Sequence, residues 1–200
     1  LTKIFYIMKR ILLFTMMCLF GLFSLNAQET ITIGGDGTST LAERPVYIGY
    51  EYSMSQLLYT AEEMNNTAGT ISSISFKRND AFQHAPSRTW KIYMINTDKD
   101  AFSSATDWVT FQESDLVFQG DVTIPQAQDW FTLDLTADFE YTGSNLLVLC
   151  YDCTGDWVSM PLTYAGYTTG TTCRSIAGYS YSSFEPLNSP SIDLPYDDGS

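Results

Sequence analysis

The groups in this chain that could do covalent or redox chemistry are its cysteines and its single histidine. Cys150 and Cys153 have the C-x-x-C spacing of thiol–disulfide enzymes, but they follow a strand pattern, whereas a thioredoxin-type pair needs the start of a helix. A structural zinc ion would need a fourth ligand beside the cysteines, and His84, the only histidine, is far away in sequence. The spacing therefore favours neither a redox motif nor a zinc site.

Catalysis by acid, base or nucleophile would need other residues. A Ser-His-Asp unit requires a histidine as general base, and His84 lies in a turn-rich loop of a chain without a Gly-x-Ser-x-Gly motif. Glycoside hydrolysis requires two placed carboxylates. Acidic residues in turn-like segments offer such pairs: Glu62 with Glu63, and Asp98 with Asp100. In so acidic a chain such pairs are expected by chance. We therefore expect that the protein is not an enzyme and assign no catalytic residue. A hydrolase is the alternative.

A calcium ion is the metal that the composition favours, because calcium prefers clustered carboxylates and loop carbonyls. The candidate ligands are Asp36 in a glycine-rich loop, Asp98 with Asp100, and Asp152 with Asp156. None of them has the spacing of an EF-hand. We therefore assign no metal ligand and expect no cofactor other than a structural calcium.

Tyrosine is frequent, and exposed tyrosine rings could stack on sugars or contact a protein. The candidate rings are Tyr47, Tyr50, Tyr52, Tyr164, Tyr167, Tyr179 and Tyr181. The segment from Tyr164 to Phe184 is also rich in Gly, Ser and Thr, a composition typical of adaptable contact surfaces. The alternative is that these rings are half-buried on strands. The ligand-binding residues stay unassigned.

The elements that would position these groups begin after an amino-terminal targeting segment. Lys9 and Arg10 precede the uncharged, apolar stretch Ile11–Leu25, and Ala27 offers a small residue for cleavage. This order predicts a secretory signal peptide over residues 1–27. An uncleaved membrane anchor is the alternative, but the stretch is short for a span, which needs about 20 residues.

The remainder, residues 28–200, is long enough for a single exported domain, secreted or on the cell surface, with no membrane span of its own. An exported location permits disulfides. We expect one bridge from Cys173 to either Cys150 or Cys153, and the pairing stays open. The tail from about residue 186 is rich in Pro, Ser and Asp, which predicts one last strand and then a linker, with the natural chain free to continue.

The charge balance excludes nucleic acid as a partner. The chain has 10 Lys and Arg against 23 Asp and Glu, a formal net charge of −13, and the predicted signal peptide contains only basic charges. Such an acidic surface repels phosphate backbones. The aromatic content of 14% also argues against disorder.

Apolar and polar residues alternate along most of the chain, which is the period of a strand with one buried face. Trp90–Met94 and Phe131–Leu135 alternate in this way, and Leu116 and Phe118 are predicted to share one face of another strand. Leu146–Leu149 is continuously apolar, which predicts a central strand covered on both faces. Further candidate strands are Ile31–Ile33, Val46–Tyr50, Gln56–Tyr59 and Ile74–Phe76. Short strands between turns predict an all-β sandwich or barrel.

Several segments together resemble a known module. They are Tyr52–Glu63, Gly69–Phe76, Lys91–Lys99, Phe102–Val109, Val117–Gly120 and Phe139–Val148. Their order resembles the jelly-roll-like modules of secreted and surface proteins of the Bacteroidetes. These modules are similar in kind to the cleaved-adhesin domains of gingipain-type proteins, and the resemblance covers roughly Glu43–Asp152.

This resemblance implies an antiparallel two-sheet β-sandwich, jelly-roll-like, that serves adhesion or attachment without catalysis. The partner would be a glycan or an extracellular host protein. The alternatives are a carbohydrate-binding module with an aromatic stacking face and a structural spacer domain of a larger secreted protein.

Overall fold

The computed structural model describes residues 29–34, 39–41, 44–80, 85–126, 128–159, 162–167 and 169–184. The chain divides into two units, Leu1–Ile31 and Thr32–Ser200, and all the described strands belong to the second. The predicted signal peptide, Asp36, His84 and the strand expected in the tail lie outside the described residues. Within the described ranges, no helix is long and apolar enough to cross a membrane.

The described part of the chain contains nine strands and a single 3-10 turn, Glu113–Asp115. The strands are β1 (Ser39–Leu41), β2 (Tyr52–Tyr59), β3 (Gly69–Lys77), β4 (Ser87–Thr97), β5 (Leu116–Thr123), β6 (Trp130–Tyr141), β7 (Asn145–Asp152), β8 (Tyr164–Gly166) and β9 (Ser175–Ser180). Five strands form one antiparallel sheet in the order β5-β4-β7-β2-β9, while β3 pairs with β6 and β1 pairs with β8.

The order of the strands is that of a jelly roll. A bridge between Arg78 and Tyr164 joins the end of β3 to β8. The two two-stranded sheets therefore follow one another as a second sheet in the order β1-β8-β3-β6. Consecutive strands alternate between this sheet and the five-stranded sheet, and only β4 and β5 are consecutive neighbours in one sheet. This alternation is typical of jelly rolls, which bury apolar side chains between two sheets. The predicted all-β, antiparallel, jelly-roll-like sandwich is confirmed.

Aromatic residues from the two sheets meet in the interior. Trp90 of β4 is fully buried, and its ring centroid lies 6.1 Å from that of Phe76 and 5.9 Å from that of Phe131. Phe131 also contacts Tyr164 of β8 at 6.4 Å. Edge-to-face and tilted contacts at such distances are favourable between aromatic rings. The alternation predicted for these strands therefore places their large rings on the inner faces.

Strand β7 is the centre of the large sheet, and both of its faces are covered. All residues from Leu146 to Asp152 are buried. Phe102 and Phe111 of the β4–β5 connection pack on the outer face. The Gln56 side chain holds this connection, since its amide donates to the Val109 carbonyl at 2.7 Å and its oxygen accepts from the Val109 amide at 2.8 Å. The central strand predicted from the apolar run is confirmed.

The face assignment predicted for β5 is wrong. Phe118 pairs with Ile92, but Leu116 pairs with Tyr93, so Val117 is an extra residue in a β-bulge. Because Ile92 and Tyr93 are consecutive, they face opposite sides of the sheet. Leu116 and Phe118 therefore also lie on opposite faces, and Leu116 packs against the outer core cluster.

Two predicted strands are also wrong. Ile31–Ile33 is not a strand, and Val46–Tyr50 forms turns instead. Serine side chains of β2 form hydrogen bonds with the backbone at and just before the start of Val46–Tyr50. Ser53 Oγ accepts from the Tyr47 amide at 2.8 Å, and Ser55 Oγ donates to the Pro45 carbonyl at 2.6 Å. These bonds satisfy polar groups that a strand ladder would otherwise satisfy.

Candidate functional site

Four tyrosines from two distant segments meet at the edge of the five-stranded sheet, where β9 is the last strand. We call Tyr47, Tyr50, Tyr179 and Tyr181 the tyrosine cluster. Its ring centroids lie 5.7 Å apart for Tyr47–Tyr50, 5.3 Å for Tyr47–Tyr179, 4.3 Å for Tyr50–Tyr179 and 4.6 Å for Tyr50–Tyr181. The cluster thus contains four of the seven rings predicted as ligand contacts.

The cluster presents aromatic surface to solvent. Tyr181 is 61% exposed, and the other three rings are half-buried. Neighbouring rings are inclined to one another by 38° to 63°. The rings therefore form a ridged surface and not a flat platform.

Ser53 joins the two segments, and Gly49 leaves room for the Tyr47 ring. Ser53 pairs with Tyr179 in the β2–β9 ladder, and its hydroxyl also accepts from the Tyr47 amide. The Tyr47 ring passes so close to Gly49 that a Cβ on that residue would lie 2.8 Å from Tyr47 Cζ. A side chain at Gly49 would therefore displace the ring.

A loop after β7 carries an exposed tryptophan and is hydrogen-bonded to the backbone of the segment that carries Tyr47 and Tyr50. The Gly155 amide donates to the Glu51 carbonyl at 3.0 Å, and the Val158 amide donates to the Ile48 carbonyl at 2.8 Å. Trp157 lies between these two bonds and is 52% exposed. We call the tyrosine cluster and Trp157 together the aromatic patch.

A buried ion pair between Arg88 and Asp152 anchors the loop that follows β7. Arg88 Nε lies 2.8 Å from Asp152 Oδ2, and the two side chains are 2% and 0% exposed. Arg88 Nη2 also donates to the Asp156 carbonyl at 2.7 Å, and Thr154 donates to Asp152. Burial raises the pKa of the Asp152 carboxyl, and the Arg88 guanidinium and the Thr154 donors oppose that effect. The network fixes the loop that carries Trp157.

The other three predicted tyrosines have structural contacts. Tyr164 is buried between the sheets, and Tyr52 is half-buried with its hydroxyl against Gly155. Tyr167 donates to Glu63 Oε1 at 2.8 Å. For these three rings, the structural interpretation describes their position better than a ligand contact does.

Glu63 joins two connections of the fold. Arg174 Nη2 donates to its Oε1 at 2.7 Å, and the Thr60 amide donates to its Oε2 at 2.9 Å. Burial by itself would raise the pKa of Glu63, but the hydrogen bonds from Arg174, Thr60 and Tyr167 outweigh it and lower the pKa to about 2. The carboxylate proposed for hydrolysis is therefore engaged in an ion pair, while Glu62, Asp98 and Asp100 are exposed.

We expect the Glu63–Arg174 pair to make the free energy of unfolding depend on pH in the acidic range. Because the pKa of Glu63 is lowered in the native state, its ionised carboxylate should stabilise the fold above about pH 4.5. This contribution should vanish as the pH falls towards about 2. Glu63→Gln should lower the free energy of unfolding by about 1–3 kcal/mol at pH 7. Urea unfolding from pH 7 to pH 2 measures this difference. A constant difference over that range, or an equal loss in the exposed neighbour Glu62→Gln, would contradict the expectation.

The expected disulfide is not formed, and Cys150, Cys153 and Cys173 are all thiols. Cys150 pairs with Ser55, whereas Cys173 comes just before Arg174, whose carbonyl accepts from Leu58. Ser55 and Leu58 are three residues apart along β2, which is about 10 Å at the usual rise of a strand. A disulfide bridges Cα atoms at most about 7 Å apart, so Cys150 and Cys173 are too far apart. Cys153 lies beyond the opposite end of β2. Burial raises the pKa of the Cys150 thiol, so this group is unreactive.

The predicted calcium ligands do not converge in the part of the chain that the structure describes. No three Cys, His, Asp or Glu side chains of the described residues are grouped so as to hold a metal ion. Asp152 is paired with Arg88, and the Asp156 carboxylate accepts from the Trp157 amide at 2.8 Å.

Sequence reasoning missed Trp157 and the ion pairs of Arg88 and Arg174. A usable signal for Trp157 was its position after Gly155-Asp156, where a turn exposes the next side chain. For Arg88 and Arg174 the partners are 64 and 111 residues away, so no local pattern indicates them.

Comparison with known proteins adds no relative. No family model matches the chain, and no significant match was found among curated proteins or solved structures. The resemblance to cleaved-adhesin modules therefore stays a prediction.

Proposed function

We propose that this chain is an exported, non-catalytic attachment module of a bacterial cell-surface or secreted protein, and that the aromatic patch contacts its ligand. The observation that carries the proposal is the tyrosine cluster, in which Tyr181 is 61% exposed. Exposed aromatic groups of this kind mark interaction surfaces more often than isolated apolar residues do. Tyrosine supplies large contact area with few rotatable bonds.

The frame of the patch supports this role. Tyr179 lies within a strand ladder, and the backbone around Tyr47 and Trp157 is held by hydrogen bonds to Ser53 and Ile48. A surface that is ordered before it meets its ligand loses little conformational entropy on binding. A spacer domain would have no need of an ordered, exposed aromatic surface.

A carbohydrate-binding module is the second candidate, favoured by the exposure of Trp157 and Tyr181. Each of these rings could stack on one sugar unit. The inclination of the tyrosine rings argues against a flat, extended polysaccharide as ligand, because such a ligand needs several coplanar rings.

The test is binding of the purified chain to a glycan array and to a panel of immobilised extracellular matrix proteins. The double variant Tyr50→Ala/Tyr181→Ala should bind the selected ligand at least about tenfold more weakly, as expected for contact residues at an interface centre. The matched control is Trp130→Ala on the other sheet, where the side chain is 45% exposed. Absence of any binding, or an equal loss in the control, would contradict the proposal.

A further inference from the structure

Resting on the proposed function, we propose that the partner of the aromatic patch is a positively charged protein segment, bound through arginine or lysine side chains. The faces of tyrosine and tryptophan rings attract cations. Nearby carboxylates strengthen that attraction through charge-assisted hydrogen bonds. The patch supplies the rings, and Glu51 and Asp156, the chain neighbours of Tyr50 and Trp157, supply the carboxylates.

Two of the three segments that carry the patch contain an acid, and none contains a base. Glu51 follows Tyr50, and Asp156, an exposed residue, precedes Trp157. The segments 45–53, 153–159 and 175–184, which carry all five rings, contain no Lys or Arg. Glu51 has no ion pair among the described residues.

The rest of the surface favours the same partner. Three arginines are buried, with exposed fractions of 7% for Arg44, 0% for Arg78 and 2% for Arg88. Arg174 is paired with Glu63, and Lys99 with Asp107. Carboxylates, in contrast, are widely exposed: Glu62, Asp98, Asp100, Glu113, Asp121, Asp129, Asp134, Asp138, Glu140 and Asp156. Such a surface steers cationic partners towards it and repels anionic ones.

The carboxylates separate this partner from a neutral sugar. The hydroxyls of a neutral sugar stacked on Trp157 or Tyr181 could also donate hydrogen bonds to Glu51 and Asp156. Because the sugar has no net charge, however, its affinity would depend little on salt. A cationic segment would bind through both, and its affinity would fall as salt screens the charges.

The experiment uses a labelled peptide of alternating arginine and glycine, and the same peptide with neutral citrulline in place of arginine. Fluorescence anisotropy with the purified chain is recorded at about 0.01 M and about 0.1 M salt, between which the Debye length falls from about 30 to about 10 Å. The arginine peptide should bind at least about tenfold more tightly than the citrulline peptide at the lower salt, the margin expected of desolvated cation–π and charged contacts.

Two variants locate the binding. Tyr181→Ala, at an exposed position, should weaken the arginine peptide about tenfold, and Glu51→Gln/Asp156→Asn should weaken it and flatten its salt dependence. The matched control Trp130→Ala/Asp134→Asn removes one exposed ring and one exposed carboxylate from β6 and should change little. Thermal unfolding confirms that each variant is folded.

Equal affinity for the two peptides, or an equal loss in the β6 control, would overturn the inference. The proposed function is judged separately. If the arginine peptide fails but Tyr50→Ala/Tyr181→Ala weakens binding to an array glycan or a matrix protein at least about tenfold, the patch is a contact surface for another ligand. If the chain binds neither, both proposals are wrong.

Discussion

Replacing Asp152 by alanine is expected to lower the free energy of unfolding by about 3–5 kcal/mol, because it leaves the Arg88 guanidinium buried without its carboxylate. Both side chains of this pair are almost completely buried. The change also removes the acceptor of Thr154, which helps to order the loop of Trp157. Chemical denaturation at pH 7 measures the loss.

Two further variants show what the ion pair does. Asp134→Ala, at an exposed position on β6, should change stability by less than about 0.5 kcal/mol. The double variant Arg88→Met/Asp152→Leu should recover much of the stability, since apolar replacements of buried pairs are often neutral. It also lacks the bond from Arg88 to the Asp156 carbonyl, so ligand binding at the patch should be weakened even where stability recovers. A loss below about 1 kcal/mol in Asp152→Ala would contradict the role given to the pair.

Trp90→Ala is expected to lower the free energy of unfolding by about 3–5 kcal/mol, through lost burial and the cavity left between the sheets. Trp90 is 0% exposed and lies within 6.1 Å of Phe76 and 5.9 Å of Phe131, measured between ring centroids. The Phe76 and Phe131 centroids lie 6.0 Å apart, so the three rings contact one another. Calorimetry or denaturant unfolding provides the measurement.

Trp90→Phe should cost much less than Trp90→Ala. The Trp90 indole N–H has no hydrogen-bond partner among the described residues, so phenylalanine keeps an aromatic ring and removes a buried unsatisfied donor. Trp130→Ala, at an exposed position, is the matched tryptophan control. Similar losses for Trp90→Ala and Trp130→Ala would argue that the interior between the sheets is not packed around Trp90.

Much of the fold follows from local pattern. Alternation identified β6 and the first half of β4 because one face of each is buried there, and the apolar run at Leu146–Leu149 identified β7 because both faces are buried. The short strands β8 and β9 escaped prediction, since three to six residues rich in Gly, Ser and Tyr carry little periodicity. The bulge at Val117 was also not predicted, because it arises from the pairing of β4 with β5 and no residue pattern of β5 indicates it.

The candidate site divides in the same way. The composition alone determined that the chain is acidic, rich in tyrosine and poor in catalytic groups. The seven tyrosines predicted from the sequence as possible ligand contacts include the four rings of the tyrosine cluster. As a strand, Val46–Tyr50 would have placed Tyr47 and Tyr50 on opposite faces. Only the tertiary structure turned that segment so that both rings meet Tyr179, because a serine of β2 bonds its backbone. Tertiary structure also decided which tyrosines are exposed and which arginines are buried, because each depends on partners brought from distant parts of the chain.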